Sequence, residues 1–537
     1  MRYIRKGEIV LLVLFFLFSW WLMDKSFGYD AVSHQFRIAR HQIGDFGLHL
    51  SLIRSFSWGS NFPPQLPFFP GRPLPYHYGF DLLVGILERT GMRIDIAFNG
   101  LSVVAFTALL FFIYKLPQVL FGKNVFTGLL SVLFFIFHSS LTFLDFFKNR
   151  SLSWSTLQEL WRLPDYLNKG PFDGSQISLF FTLNVFLNQR HLIAALAMSL
   201  GILLYLLPCM LKKKAVSILG LLAVGAVLGT ISWVHTLVFA GDLVVIGMLC
   251  ILFGRIRWFM PIVMPAVSIA APRLITVLKF PAAGQTFALF NPGFLAQRPL
   301  TFLGLVSYWW KNLGLALPMT ILGLIWAPLK ARRVFFSILP LFIIVNIFRL
   351  SYRMDHNHTL INYFLIFANF YVAYAVTQLW KRMMGGKIVT VALVLLLTAS
   401  GVIDLMALKN DFQYTFFDAP TNRFMEWIRT STDPRSVFLA REDILDPITL
   451  SGRLNYFGAT YYPEVMGYPI QERRGKAVKF FETRDISLLA DMQGEEIDYI
   501  VIPVIPPSNF RYSVDREFFA DNLREVYSDE NVKVYRL

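Results

Sequence analysis

Residues 192–234 read LIAALAMSLGILLYLLPCMLKKKAVSILGLLAVGAVLGTISWV. Two apolar runs, 192–210 and 215–234, are separated by little more than Lys212, Lys213 and Lys214. Each run comes close to the roughly 20 apolar residues that a helix needs to cross a bilayer. Lys and Arg collect in the cytoplasmic gaps between spans, so this gap is expected to face the cytoplasm. The same alternation runs the length of the chain. Short basic gaps recur at Met1–Lys6, Lys115–Lys123, Arg255–Arg257, Lys330–Arg333 and Lys381–Lys387. Between them lie longer gaps rich in aromatic residues, His, Asp and Asn.

Carried outward from that stretch, the pattern predicts a polytopic α-helical membrane protein with about eleven spans. They fall near 8–24, 96–114, 125–144, 192–210, 215–234, 236–254, 259–276, 313–329, 334–349, 359–380 and 386–407. Counting from a cytoplasmic N-terminus places residues 25–95, 145–191, 277–312, 350–358 and 408–537 on the outer side. The expected location is the cytoplasmic (inner) membrane, with the C-terminal domain extracytoplasmic. The first segment reads as a retained helix, because Trp20-Trp21-Leu-Met-Asp24-Lys25 offers no small-residue cleavage site. The link at Trp233–Thr236 is the weakest joint, and 79–90 reads as a partial or re-entrant helix.

Composition agrees. Mean hydropathy is +0.51, and charged residues make up 16% of the chain, against roughly 25% in soluble domains. The net charge is +15. In a soluble protein that would suggest nucleic acid, but here the cations sit in short inter-span gaps beside lipid headgroups. Nucleic acid is set aside. Cys209 and Cys250 lie in or near spans and read as packing residues. No Walker A loop, H-E-x-x-H, G-x-S-x-G or strand-borne G-x-G-x-x-G is present, so nucleotide hydrolysis, zinc proteolysis and serine esterase chemistry have no support.

The tail changes character near residue 410, where charges become frequent. Asn422–Thr430 and Arg516–Leu523 read as helices, and Ser436–Ala440, Asp498–Pro503 and Asn531–Leu537 as strands. The expected division is therefore a membrane module at 1–409 and a soluble α/β domain at 410–537.

The first outer loop carries the most chemistry. His34, Arg37, His41, Asp45 and His49 are spaced by 3, 4, 4 and 4 residues. On a single interfacial helix over 34–58 they would form one polar stripe. Gly44 and Gly47 leave room beside Asp45. A proline-rich path follows, from Asn61-Phe-Pro-Pro to Tyr76-His77-Tyr78-Gly79, and reads either as a stiff interfacial loop or as a groove wall. Asn188-Gln-Arg190-His191 opens a span from outside. In Arg349-Leu-Ser-Tyr-Arg353-Met-Asp355-His356-Asn-His358, two Arg occupy a short outer loop where cations are disfavoured. An anionic group would account for them, since Arg matches phosphate oxygens with two parallel bonds. The plainer reading is headgroup anchoring with an Arg353–Asp355 ion pair. His356 and His358, two apart, are compatible with a divalent metal, although no cofactor is required by the sequence.

With these residues in view, the chain resembles the GT-C glycosyltransferases, in particular their prokaryotic polytopic members with a C-terminal outer domain. The resemblance rests on Gly44-Asp45-Phe-Gly-Leu-His49, Asn61-Phe-Pro-Pro, Tyr76-His77-Tyr78-Gly79, Asn188-Gln-Arg-His191, Asp355-His-Asn-His358 and Ser451-Gly-Arg453. It covers most of the chain in architecture and is loose in motif. It implies an inverting transfer of sugar from a polyprenyl-phosphate donor to a glycan, lipid or protein acceptor outside the membrane, as in cell-envelope glycan biosynthesis. It implies a first-loop carboxylate as general base, which maps to Asp45 with His49 beside it, or to Asp30. The adjacent acidic pair of many members is missing here. Arg349 and Arg353 would hold the donor phosphate, with Arg190 in reserve. His41, Tyr76, His77, Tyr78, His191, Asp355, His356 and His358 would line the groove, and Arg453 would face the acceptor. A transporter or flippase, or a non-catalytic assembly protein, is the alternative.

Overall fold

A computed structural model describes residues 6–170, 173–177, 179–280, 288–382 and 386–537. The start of the first basic gap, Met1–Arg5, lies outside the described residues, as do 383–385 of the last gap and parts of the 145–191 and 277–312 loops.

Each of the eleven apolar segments contains a helix. Among the described residues, six helices are long and apolar enough to cross a membrane: Lys6–Ser26 (α1), Ile94–Phe121, Arg190–Leu211, Ile256–Lys279, Asp355–Arg382 and Gly386–Lys409. Val125–Ile136, Ile218–Val234, Thr236–Leu252 and Ala316–Trp326 are apolar but shorter. Six of the expected segments thus carry a helix of full span length among the described residues, and the multi-pass helical class stands.

The chain forms two compact units. The first contains α1, residues 99–274 and residues 286–412, and is helical. Its helix starts are written locally. Asn124 accepts from the backbone N–H groups of Phe126 and Thr127, and Ser217 from that of Gly220, immediately after the Lys212–Lys214 turn. The helix His358–Arg382 is buried continuously from His358 to Thr377. It packs against Val125–Ile136, Ala316–Trp326, Leu329–Ile347 and Gly386–Lys409, as a helix that is apolar on all sides must. Gly225 and Gly229, four residues apart, lie directly against Ile262, Ala266 and Ile269 of the helix Phe259–Lys279. Any side chain there would push two backbones apart, the usual reason for small residues at intramembrane crossings.

The second unit joins residues 27–98 to 413–537, with a short piece beginning at Ile275. The expected boundary at 409/410 is thus corrected: the tail shares one core with residues 27–98. Leu48, Leu52, Phe56, Leu66 and Phe68 pack with Leu439, Tyr456, Tyr462, Phe481 and Ile500. The tail elements fall where the pattern predicts. Helices Arg423–Ser431 and Arg516–Asn522 accompany a five-stranded sheet. Its strands run in the order Arg524–Ser528, Val532–Arg536, Tyr499–Pro503, Val437–Leu439 and Leu454–Asn455, with antiparallel pairing on the first side and parallel pairing on the other.

A second sheet corrects the largest expectation. Residues 34–58 are not one helix. Phe27–Asp30 and Gln35–Ala39 form an antiparallel hairpin, extended on its other edge by Gln413–Phe417. The turn Arg40–Gln42 leads into the helix Ile43–Ser57 (α2). His34, Arg37 and His41 therefore leave the stripe, and only Asp45 and His49 remain on the helix. Nor is α2 a half-exposed interfacial helix, for every residue from Phe46 to Ser57 is buried. Gly79–Arg89 (α3) is the short helix foreseen at 79–90 and packs against α2.

Candidate active site

The geometry centres on α2 and α3. His49, three residues after Phe46 on the buried face of α2, points at α3. Its Nδ1–H donates to Asp81, with the two carboxylate oxygens at 3.1 and 3.0 Å. Both side chains are almost fully buried. Asp81 lies in the first turn of α3, where the helix N-terminus favours negative charge. Asp45 lies one turn before His49 and is half-buried.

Burial raises the pKa of Asp45, and the nearby His49 opposes the rise. Asp81 is raised by the same loss of water, offset by the charge and hydrogen bond of His49. Tyr76 closes the cluster. Its ring centroid is 6.2 Å from that of His49. Burial, then Asp81 and Asp45, push its hydroxyl well above the usual phenol range. His77 stacks on Tyr76 at 4.1 Å, and Tyr78 stands before the first turn of α3 and packs on Phe56. From the other side Tyr462 donates its hydroxyl to the Gly44 carbonyl, and that hydroxyl, with Ile444, occupies the space a side chain on Gly47 would need. The stiff path is held by Asn61, which donates to Ser55 Oγ and to the Gln65 carbonyl and accepts from Gln65 N–H.

A half-buried carboxylate and a half-buried phenol thus adjoin the buried His49–Asp81 pair. Such a set can take a proton from a hydroxyl and hold it. Asp81 fixes the imidazole as the Nδ1–H form, an arrangement that orients His49. Asp81 was missed in the sequence because it is 36 residues from Asp45 and sits in an ordinary amphipathic stretch. The signal available was an acid in the first turn of a helix directly after Tyr-His-Tyr-Gly.

Other candidates receive structural explanations. Asp30 accepts from Val32 N–H and Ser33 Oγ in the hairpin turn. Those hydrogen bonds lower its pKa, which makes it a weaker base than Asp45. His34 sits in the same turn and contacts the Tyr29 hydroxyl, and His41 lies in the Arg40–Gln42 turn. Arg453 does not face an acceptor. It is buried and donates to Thr432 Oγ1 and to the carbonyls of Trp58, Ser451, Arg429 and Thr432.

In the helical unit, Arg190 is fully buried and donates to Asn99 Oδ1, Ser26 Oγ and the Met23 carbonyl. Its guanidinium serves packing of helix ends. His191 stacks on His235 at 5.2 Å. His358 lies flat on Phe180 and beside Gln189. In the 349–358 loop, Arg353 Nε donates to Asp355 at 3.0 Å, the plain ion pair foreseen. His356 contacts Ser351 Oγ. Arg349 is held in a two-residue strand paired with Leu289–Phe290. The loop is shaped by Asn357, whose amide donates to the Val345 and Phe348 carbonyls and whose oxygen accepts from Leu350 N–H.

No protein-family model matches the sequence. No curated protein matches it either. Among solved structures, a mutant form of the arabinofuranosyltransferase AftD from Mycobacteria superposes over 98% of this chain, with TM-score 0.55 and 11% identity. Another AftD structure gives TM-score 0.54 at 12% identity over 98% of this chain. ArnT from Cupriavidus metallidurans gives TM-score 0.46 at 10% identity, over 99% of this chain and 98% of that one. The fold is GT-C-like. The chain spans only about two fifths of AftD, 41% and 39% of the two AftD chains.

Proposed function

We propose that this protein is a membrane glycosyltransferase that moves a sugar from a polyprenyl-phosphate carrier to an extracytoplasmic hydroxyl acceptor, which is a glycan, lipid or protein. The observation that carries this reading is the buried His49–Asp81 pair with Asp45 one helical turn away, in a chain of GT-C-like fold. Asp45 takes the acceptor hydroxyl proton. The acceptor oxygen attacks the anomeric carbon from the face opposite the phosphate. The bond from that carbon to the phosphate oxygen breaks, its electron pair leaves with the polyprenyl phosphate, and configuration inverts. A raised pKa makes Asp45 a stronger base than an exposed carboxylate, and His49, oriented by Asp81, steadies the charge beside it. Arg349 and Arg353 are assigned to the lipid phosphate, because two Arg in an outer loop otherwise run against the charge asymmetry of the other gaps.

Incubation of the protein with short-chain polyprenyl-phosphate sugars tests the reading. Release of polyprenyl phosphate is expected, and its absence across a panel of sugars would count against transfer. Orientation is tested separately. A cysteine placed at Lys213 should resist an impermeant reagent in intact cells while one at Asp443 reacts.

A transporter would use ionisable groups within spans, and Asp242 in Thr236–Leu252 is such a group. Its two oxygens accept from Ser199 Oγ and Tyr363 Oη, each at 2.6 Å. That arrangement ties three helices together, which favours a structural role over a moving-ion path.

A further inference from the structure

At the far end of α2 from Asp45, the second unit contains an open cleft of about 290 Å³. Four segments wall it: the hairpin at Tyr29 and His34, the end of α2 at Arg54 and Trp58, the link at Gly91–Ile94, and the turn Asp418–Thr421. Its volume is near the lower end of the roughly 300–1,000 Å³ of small-molecule sites.

The floor is a compensated ion cluster. Arg54, 3% exposed, donates through two nitrogens to the two oxygens of Asp418, at 3.2 and 2.7 Å. Its Nε lies 2.9 Å from Glu88 Oε1, and Glu88 also accepts from Ser57 Oγ. The Arg54 guanidinium lies 3.4 Å over the Trp58 ring. The rim carries two more guanidiniums on aromatic faces, Arg93 over Tyr29 at 4.0 Å and Arg429 over Trp58 at 4.9 Å. These are 44% and 37% exposed and paired with Asp95 and Glu426.

The chemistry selects the occupant. Every cation here already faces a carboxylate, so an anion gains little net charge attraction. Apolar surface at Phe36, Met92, Ile94 and Pro420 alternates with the ion pairs, so a purely apolar group would leave the ion pairs uncontacted. Hydrogen-bonding capacity is still dense, because each guanidinium has five N–H donors and each carboxylate about four acceptor positions. A hydroxyl both donates and accepts, and so bridges such an ion pair well. Neutral polyhydroxylated ligands fit this description.

Placement supplies the second argument. Arg54 is nine residues after Asp45 on one rigid, buried helix, roughly 13 Å along its axis. A chain of sugars can span that length, and contacts made away from the reacting atom can be used to orient it. We infer that the cleft is a binding site for a neutral oligosaccharide segment, and, resting on the transferase reading above, that this segment is the remote part of the acceptor.

The test is calorimetric titration of the full chain in detergent, without donor, using linear neutral hexasaccharides of glucose, mannose, galactose or arabinose. An oligogalacturonate hexamer and the corresponding monosaccharides serve as controls. At least one neutral hexamer should bind, more tightly than its monosaccharide and than the charged hexamer. Thr421→Trp, an exposed position on the cleft wall, should fill the cleft and weaken that binding at least tenfold without unfolding the protein. Arg93→Ala should weaken it less. If no neutral hexamer binds, if the charged hexamer binds best, or if Thr421→Trp binds normally, the inference is overturned. If hexamer binding passes all of these while no donor is ever turned over, the transferase reading fails and the saccharide site stands.

Discussion

Two stretches of this protein are built from the same residue types and reach different electrostatic states. Along α2 and α3, His49 and Asp81 are withdrawn from water and Asp45 is half-buried, and the imidazole's bond to Asp81 does not cancel the rise in either carboxyl pKa. In the loop at 349–358, Arg353 meets Asp355 at 3.0 Å with 35% of the Arg side chain exposed. There the charges compensate each other in contact with solvent, and such pairs contribute about 0–1 kcal/mol. Carboxylates beside an imidazole in one place and beside an Arg in the other therefore reach different states, with raised carboxyl pKa values in the first and a partly exposed ion pair in the second. The difference is desolvation: a carboxylate that loses water without gaining a full opposite charge holds its proton more tightly.

The largest effect expected from this contrast is at Asp45. Asp45→Asn keeps size and polarity but removes the base, and release of polyprenyl phosphate should fall by roughly 10²–10⁴-fold. Asp30→Asn should stay near the unaltered rate. The reverse outcome would move the base to the hairpin turn. The pH profile sharpens the same point. Asp45 must be ionised to act and burial raises its pKa, so activity should climb with pH through a value above that of an exposed aspartate. That acidic limb should be missing from the residual rate of Asp45→Asn.

Asp81→Asn comes next. It leaves Asp45 in place but replaces the carboxylate by an amide, which carries no charge and can also present an N–H to His49, so a loss at or below the low end of the same range, roughly 10²-fold, is expected. A rate unchanged from the original would reduce Asp81 to a packing residue.

At the other stretch, Arg353→Ala should leave the melting temperature almost unmoved while weakening binding of a short polyprenyl phosphate. Arg353→Lys should recover part of that binding, because a point charge cannot make the two-pronged contact. Unchanged lipid-phosphate affinity would return the loop to headgroup anchoring alone.

The smallest expected effect tests desolvation away from either stretch. Asp446, buried at the start of Pro447–Leu450, accepts from Ile448 N–H and Asn455 Nδ2. Burial raises its pKa from 3.8 to about 7. A folded pKa above the unfolded one means that the folded state holds the proton more tightly. Stability from this group is therefore full below about pH 4 and declines as pH rises towards and through 7. Thermal melts across that window should show the decline, and Asp446→Asn should flatten it. An identical slope in the variant would assign the decline to other groups.

Much of this was legible in the sequence, for identifiable reasons. Apolar runs of span length need no partner to declare themselves, because lipid forces every backbone group in them to bond within the helix. The tail's strands and helices were readable because alternation and helical spacing are local patterns. The stripe from His34 to His49 misled because helical spacing was extended through residues that pair as a hairpin instead. Tyr414, Phe416 and their neighbours, nearly 400 residues away, supply the third strand that holds Gln35–Ala39 extended, and nothing near His34 records that partner.

What the sequence by itself determined is thus the helical membrane class, the alternation of basic gaps, the α/β character of the tail, and Asp45 and His49 as candidates. What only the tertiary structure decided is the pairing of His49 with Asp81, the hydrogen-bond partners of Asp30, Arg190 and Arg453, and the union of residues 27–98 with the tail. The first set follows from local rules of hydropathy and charge that act over a few helical turns. The second set depends on which distant segments share a core, because only burial beside a particular neighbour decides whether a charged side chain becomes a base, a strut or a solvated ion pair.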